Sequence, residues 1–313
     1  MHQALVFPGQ GAQYVGMAGE LAAASPAAAA VLRQADEVLG LSLSTMMAEG
    51  PVERLTRTDI SQPAILVASW MAYQAVVERH GVPPAMAAGG LSLGEYSALL
   101  VAGAFTFPDA LRLVRLRGEA MQAAAEASDG GMVALIGADE ATAEALCAAV
   151  RGDELLQIAN LNATGQIVIS GAAAACARAV AKGREHGIRR AMPLPVAGAF
   201  HSPLMAPAAE RLATALADTP VAEPRYPVYA NVDAAPVTAT TIRECLVRQL
   251  TDTVRWADCL RAMQAAGATR FLELGPGATI SGMITRTLGT EVTVTKVDQK
   301  ADLDSLQSTS NNL

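Results

Sequence analysis

Aromatic residues make up only 4% of the 313-residue chain, so its core has to be assembled from Ala, Leu and Val with few large rings. Lysine is rarer still. Lys182, Lys296 and Lys300 are the whole complement, and every other basic residue is Arg. Three scattered lysines form no polybasic tract for an anionic membrane surface. The formal charge of −7 leaves no global basic field, so nucleic acid is not an expected partner. Cysteine is limited to Cys147, Cys176, Cys245 and Cys259, with no C-x-x-C pair. They read as buried free thiols in a reducing compartment. No cluster of His, Cys and Asp has metal-ligand spacing, so no metal is expected. Long apolar runs are also missing. The most apolar stretch, Pro63–Val77, is broken by Ser69 and Gln74 and reads as too short to span a bilayer. Met1–Gly9 has no charged segment and too short an apolar run for a secretory signal. The expectation is a cytoplasmic protein with no membrane partner.

Phosphate-cradling loops are absent as well. The segment Gly9-Gln10-Gly11-Ala12-Gln13 starts like a dinucleotide fingerprint, but the third glycine position is Tyr14, and no Walker-type loop occurs anywhere.

Hydrophobic residues are 51% and charged residues 17%, which supplies a real core and excludes disorder for the bulk of the chain. The length suggests two domains, or one large domain with an insertion. Short apolar runs and helical stretches alternate in the order of an α/β domain: a strand at Ala4–Phe7, helices at Pro26–Leu39 and Pro63–His80, a strand at Ala85–Ala88, and helices at Glu95–Val101 and Pro108–Glu126. Residues 129–196 have their own pattern. Strands at Met132–Ile136, Leu155–Ala159, Ile167–Ser170 and Arg189–Leu194 and helices at Asp139–Val150 and Ala172–Gly187 give β-α-β-β-α-β, the order of a ferredoxin-like module. The expected organisation is therefore a large α/β domain, residues 1–128 and 197–313, with this module inserted. After the module, strands are expected at Pro227–Ala230 and Arg270–Leu274, and helices at Thr241–Leu250 and Trp256–Ala266, before a final helix and strand. The segment Asp302–Leu313 reads as a polar, frayed tail.

Gly90-Leu91-Ser92-Leu93-Gly94 fits G-x-S-x-G between an expected strand and an expected helix. A nucleophile on so sharp a turn exposes its hydroxyl at the top of a sheet, and small residues two before and two after let the backbone close. The N–H after the serine, that of Leu93, can then bind an oxyanion. Gln10, in the loop after the first strand, can offer a second N–H at the carboxyl end of the sheet. Serine needs a base. The chain has four histidines. His2 is terminal, and His80 and His186 sit at helix ends before glycines, a favourable place for a cation that needs no function. By elimination His201 is the candidate base.

On the Pro108–Glu126 helix, Asp109, Arg112, Arg115, Glu119, Gln122 and Glu126 share a polar face, and Arg117 points away from it among Leu113, Val114, Ala120 and Met121. A buried guanidinium must be paired. It has either an internal acid or a substrate carboxylate, which it can take in a bidentate fork.

Phe7-Pro8-Gly9-Gln10-Gly11-Ala12-Gln13, Gly90-Leu91-Ser92-Leu93-Gly94-Glu95-Tyr96, Arg117-Gly118, Gly198-Ala199-Phe200-His201-Ser202 and Gln249 with Val254-Arg255-Trp256 together resemble the malonyl-CoA:acyl-carrier-protein transacylases and the acyltransferases of polyketide synthesis. The resemblance runs from about residue 4 to 300. It implies an α/β-hydrolase-like core with a ferredoxin-like insertion, and a ping-pong acyl transfer in the cytoplasm. Ser92 would carry the malonyl group taken from the substrate malonyl-CoA, and His201 would move the proton. The N–H groups of Gln10 and Leu93 would hold the oxyanion, and Arg117 the free carboxylate. Gln249 would orient the histidine through its backbone carbonyl. The phosphopantetheine thiol of a holo acyl carrier protein would accept the acyl group. No resident cofactor and no metal are implied, and a monomer is expected. Phe200, with Met121 and Leu91, would line the pocket and limit α-branched substrates, and Asn160 and Asn162 would lie near the site. One departure stands out: the residue before the serine is commonly His in this family and is Leu91 here. The alternative is a hydrolase on the same scaffold, an esterase or an editing thioesterase, in which water replaces the carrier thiol. Arg189-Arg190, expected near the domain junction, is the candidate patch for steering an acidic carrier.

Overall fold

The computed structural model describes residues 2–306. Two sheets organise it. The first contains β1 (Gln3–Phe7), β2 (Ala87–Gly90), β7 (Arg270–Leu274) and β8 (Thr293–Val297), all parallel, in the order β2-β1-β7-β8. Its inner strands, β1 and β7, are buried almost end to end, as parallel strands covered by helices on both faces must be. The second sheet contains β3 (Gly130–Ile136), β4 (Leu156–Ala163), β5 (Gln166–Ala172) and β6 (Arg190–Pro193), antiparallel, in the order β4-β5-β3-β6. Helices Glu140–Val150 and Ala173–Lys182 complete the βαββαβ order expected of the insert. It has an apolar cluster of its own around Leu135, Leu146, Ile158 and Ile169.

The sheets meet where the site lies. The backbone of β4 continues its pairing into the large body, with the Leu161 N–H donating to the Val254 carbonyl and the Val254 N–H to the Ala159 carbonyl, both within 3.0 Å. A side chain at Gly130 would strike Ala199 at 2.8 Å, so glycine there allows β3 to approach the loop that carries His201.

Five sequence expectations need correction. The helix expected from Pro63 begins a turn earlier, at Thr58. Pro63 has no N–H for the carbonyl of Asp59, four residues back, which would break most helices; Arg115 Nη1 supplies that donor at 2.7 Å. The resulting 23-residue helix is long and apolar enough to cross a membrane, so the length argument fails, but 83% of its most apolar window is buried inside the fold. The strand expected at Pro227–Ala230 reduces to isolated bridges, Ala88 with Val228 and Tyr229 with Pro236. Gln122 is not on the solvent face of the Phe107–Glu126 helix; it is buried and accepts the Thr58 N–H at 3.2 Å. Asp302 belongs to a helix, Lys300–Ser305, closed by a reciprocal capping box with Gln299; the rest of the expected tail, residues 307–313, lies outside the described residues. Helix Ala206–Ala217, which follows the His201 loop, was not expected at all. The four cysteines are buried and free.

Candidate active site

β2 ends at Gly90, and helix Gly94–Val101 starts four residues later. Ser92 sits between them at φ +50°, a left-handed conformation that non-glycine residues rarely take. The flanking glycines make that turn possible. A Cβ on Gly90 would lie 2.1 Å from the backbone of Gly94, and one on Gly94 would lie 2.3 Å from the carbonyl oxygen of Phe7 in β1. Neither position can hold any other residue without moving the sheet.

The Ser92 hydroxyl has two neighbours. His201 Nε2 lies 2.9 Å from Oγ, and Arg117 Nη2 donates to Oγ at 2.9 Å. His201 Nδ1 lies 2.7 Å from the backbone carbonyl of Gln249. A carbonyl only accepts, so Nδ1 carries the proton and Nε2 is left free to take one from Ser92. The histidine is 4% exposed, and burial, followed by the nearby Arg117 charge, pushes its pKa down to about 4. It is therefore neutral near pH 7, the state a base requires. Its own φ is +55°. Gln157 in β4 bridges that loop, its Nε2 donating to the carbonyls of His201 and Thr251 at 3.1 Å each.

Arg117 is 1% exposed. Its three acceptors among the described residues are neutral: Gln62 Oε1 at 2.7 Å, Gln249 Oε1 at 2.8 Å and Ser92 Oγ. Burial pulls its pKa down, and Tyr96, whose ring it faces at 5.5 Å, and Glu95 oppose that. Of the two pairings that the sequence left open, an internal ion pair is not the one found. Glu95, the acid whose charge acts on Arg117, is bound by Gln249, whose Nε2 donates to Glu95 Oε2 at 2.6 Å and to the Ser92 carbonyl at 3.1 Å. Burial pushes Glu95 up to about 7, against the Asn231 N–H, the Gln249 amide and Arg117.

Asn231 closes the far side of the turn. Its Oδ1 accepts the Ser92 N–H at 2.6 Å, its Nδ2 donates to the Gly90 carbonyl, and its own N–H goes to Glu95. By contrast, no protein acceptor takes the backbone N–H of Gln10 or Leu93 among the described residues. Two unsatisfied donors beside a nucleophile are what an oxyanion needs.

A cavity of about 550 Å³ opens on this cluster. Gln10, Leu91, Ser92, Arg117, Met121, Asn160, Asn162, Phe200 and His201 all line it, so one wall comes from the inserted sheet. The side chains of Leu93 and Gln249 are buried behind it. Asn162 Oδ1 is buried without a partner. A separate cavity of about 670 Å³, lined by Glu140, Gln157, Thr251 and Arg255 among others, contains none of these groups. No group of three or more His, Cys, Asp or Glu is placed to hold a metal among the described residues.

The sequence overlooked Gln62, Glu95 and Asn231 as site residues. Gln62 carried no signal of its own, because the helix read from the sequence begins one residue later, at Pro63. Arg189 and Arg190 are exposed, and Arg190 pairs with Ile136, at the opposite end of β3 from Gly130. At ~3.3 Å per residue that is roughly 20 Å away along the strand.

The family model described as "Acyl transferase domain" matches residues 4–307. The malonyl CoA-acyl carrier protein transacylase of Bacillus subtilis is 43% identical over 283 residues, covering 90% of this chain and 89% of its own. Among solved structures, an acyl carrier protein S-malonyltransferase from Vibrio cholerae has a TM-score of 0.94 at 39% identity, covering 98% of this chain and 100% of its own. A holo type II PKS acyl-carrier protein in complex with its malonyl-transacylase matches with a TM-score of 0.94 at 37% identity, with full coverage of both chains.

Proposed function

The chain belongs to the acyl transferase family, and from that premise we propose how its residues move a malonyl group from malonyl-CoA to the thiol of an acyl carrier protein. Ser92 Oγ passes its proton to His201 Nε2 as it attacks the thioester carbonyl. The N–H groups of Gln10 and Leu93 receive the negative charge that develops on the carbonyl oxygen. Collapse expels the CoA sulfur, which takes the proton back from His201, and leaves a malonyl ester on Ser92. The carrier thiol then gives its proton to His201 and attacks the ester carbonyl; collapse forms the product thioester and expels Ser92 Oγ, which takes the proton back from His201. The Gln249 carbonyl keeps the imidazole in the tautomer that both half-reactions use, so no third acidic residue is needed.

Arg117 holds the free carboxylate of the acyl group throughout. One observation carries this assignment: a buried guanidinium whose Nη2 lies 2.9 Å from the nucleophile and whose partners are all neutral. A neutral acyl chain would leave that charge uncompensated, which argues against an esterase or thioesterase role. Phe200, 5% exposed at the wall of the cavity with Met121 and Leu91, restricts branching next to the carbonyl. Asn160 and Asn162 face the acyl thioester from the inserted sheet. With Leu91 before the serine, that wall is apolar where relatives of this family commonly carry a histidine.

Nucleophile, base and oxyanion donors are all supplied by the chain, so the reading requires malonyl-CoA as substrate and neither a resident cofactor nor a metal. It takes residues 129–196 as a module inserted in a catalytic body of residues 1–128 and 197–313, working as a cytoplasmic monomer. The test is a two-stage transfer followed by intact mass. Mixed with malonyl-CoA alone, the protein should gain one malonyl group and keep it for many turnover times. Addition of a holo carrier protein should then discharge the enzyme and load the carrier. Rapid loss of the group to water with no loading of the carrier would favour the hydrolase instead.

A further inference from the structure

The buried carboxylate of Glu95 takes no part in the acyl transfer described above, and it is 1% exposed. It accepts two hydrogen bonds at one oxygen, from the Asn231 N–H at 2.9 Å and from Gln249 Nε2 at 2.6 Å. The second contact has a geometric consequence. The Gln249 amide lies between two chemically opposite neighbours. On one side are acceptors, Glu95 Oε2 and the Ser92 carbonyl; on the other is a donor, Arg117 Nη2, at 2.8 Å from Gln249 Oε1. Rotated by half a turn, the amide would set its NH₂ against the guanidinium N–H groups and its oxygen against two oxygens. Glu95 makes the stronger demand for the observed orientation, because its oxygen lies closer to Gln249 Nε2, at 2.6 Å against 3.1 Å for the Ser92 carbonyl.

We propose that Glu95 is a positioning residue for substrate choice: it locks the Gln249 amide so that its oxygen faces Arg117 and aims the guanidinium at the acyl carboxylate. This rests on the malonyl transfer reading. The amide acts as a neutral spacer. It lets the acid fix the direction of Arg117 without forming an ion pair that would compete with the substrate. Two residues the sequence did not connect, in the first turn of helix Gly94–Val101 and in the loop before Val254, thus define the diacid pocket from behind.

The experiment measures the rate of acylation of Ser92 by malonyl-CoA and by acetyl-CoA, by intact mass, in the full-length protein. The readout is the ratio of the two rates. Glu95→Met keeps the volume and removes the acceptor. It should lower the malonyl-to-acetyl ratio about tenfold, the effect of one mis-set hydrogen bond to a charged group. Glu95→Gln still offers an oxygen to Asn231 and Gln249 and should restore the ratio to within about threefold. Gln249→Met keeps the backbone carbonyl that His201 uses. It should lower the ratio as Glu95→Met does, and the double variant should lower it no further. A residue with a merely structural role would slow both acyl groups alike. The proposal is overturned if the ratio in Glu95→Met equals that of the wild type, or if Glu95→Gln falls as far as Glu95→Met. Should Glu95→Met fail to fold, an unchanged ratio in Gln249→Met overturns it equally. The malonyl reading itself is judged separately, on the wild type: if that protein does not prefer malonyl-CoA, that reading fails whatever the variants do.

Discussion

Replacing Arg117 by Met removes the charge and the fork but keeps an unbranched side chain among its apolar neighbours. The consequences for two substrates can be worked from the contacts. For acetyl transfer the loss at the nucleophile is the Nη2 hydrogen bond to Ser92 Oγ, worth about 1 kcal/mol, or roughly fivefold in rate. For malonyl transfer the acyl carboxylate enters a buried site with no cation. Removing one partner of a buried pair costs about 3–5 kcal/mol, about 10²- to 10³-fold or more in kcat/KM. The malonyl-to-acetyl ratio should therefore fall by roughly two orders of magnitude. Arg117→Lys should fall between the two, since the charge remains but the planar fork does not. Single-turnover acylation followed by intact mass measures both rates. Melting curves report whether the Gln62 and Gln249 oxygens, left without their donor, loosen the fold. Equal losses for the two substrates in Arg117→Met would refute the reasoning, because the guanidinium would then serve the fold or the nucleophile and not the carboxylate.

Acylation by acetyl-CoA should be nearly constant as pH falls from 7 to about 5.5 and should drop with a midpoint near 4, where buried His201 gains its proton; a midpoint near 6.5 would show an imidazole titrating as it does in water. The same group affects stability with a definite sign. Between about 6.5 and 4 the unfolded histidine binds a proton that the folded one refuses, so its contribution is present above pH 6.5 and is lost as pH falls through 4, measurable as a steeper acid destabilisation in the wild type than in His201→Gln. Phe200→Ala should open the wall beside the thioester and raise the methylmalonyl-to-malonyl loading ratio by about 10- to 100-fold, since exclusion of one methyl is worth about 1–3 kcal/mol; no change in that ratio would remove Phe200 from substrate selection.

The turn around Ser92 was legible because its requirement is local. Two glycines at fixed offsets announce a backbone that no other residue can follow, and the close approaches at Gly90 and Gly94 show why. Arg117 was legible because 3.6-residue periodicity exposes a charge on the wrong face, although not what pairs with it. The two sheets followed from the order of short apolar runs. Long-range polar pairing was not legible. Asn231 meets Ser92 across 139 positions, and Arg117 meets Gln62 across 55, and nothing in their immediate neighbours records it. The start of the long helix failed for the same reason. Pro63 reads as a first-turn residue until Arg115, from another helix, satisfies the carbonyl it leaves open. Glu95 stood inside a recognised motif, yet its role depends on where Gln249 lies.

The central claim is that the hydroxyl of Ser92 carries the malonyl group. It is tested most directly by loading the protein with malonyl-CoA, quenching, and locating the added mass by peptide sequencing in the mass spectrometer. The expected result is a single malonyl ester on Ser92, absent from Ser92→Ala. A malonyl group on one of the four cysteine thiols, or equal loading of Ser92→Ala, would contradict it.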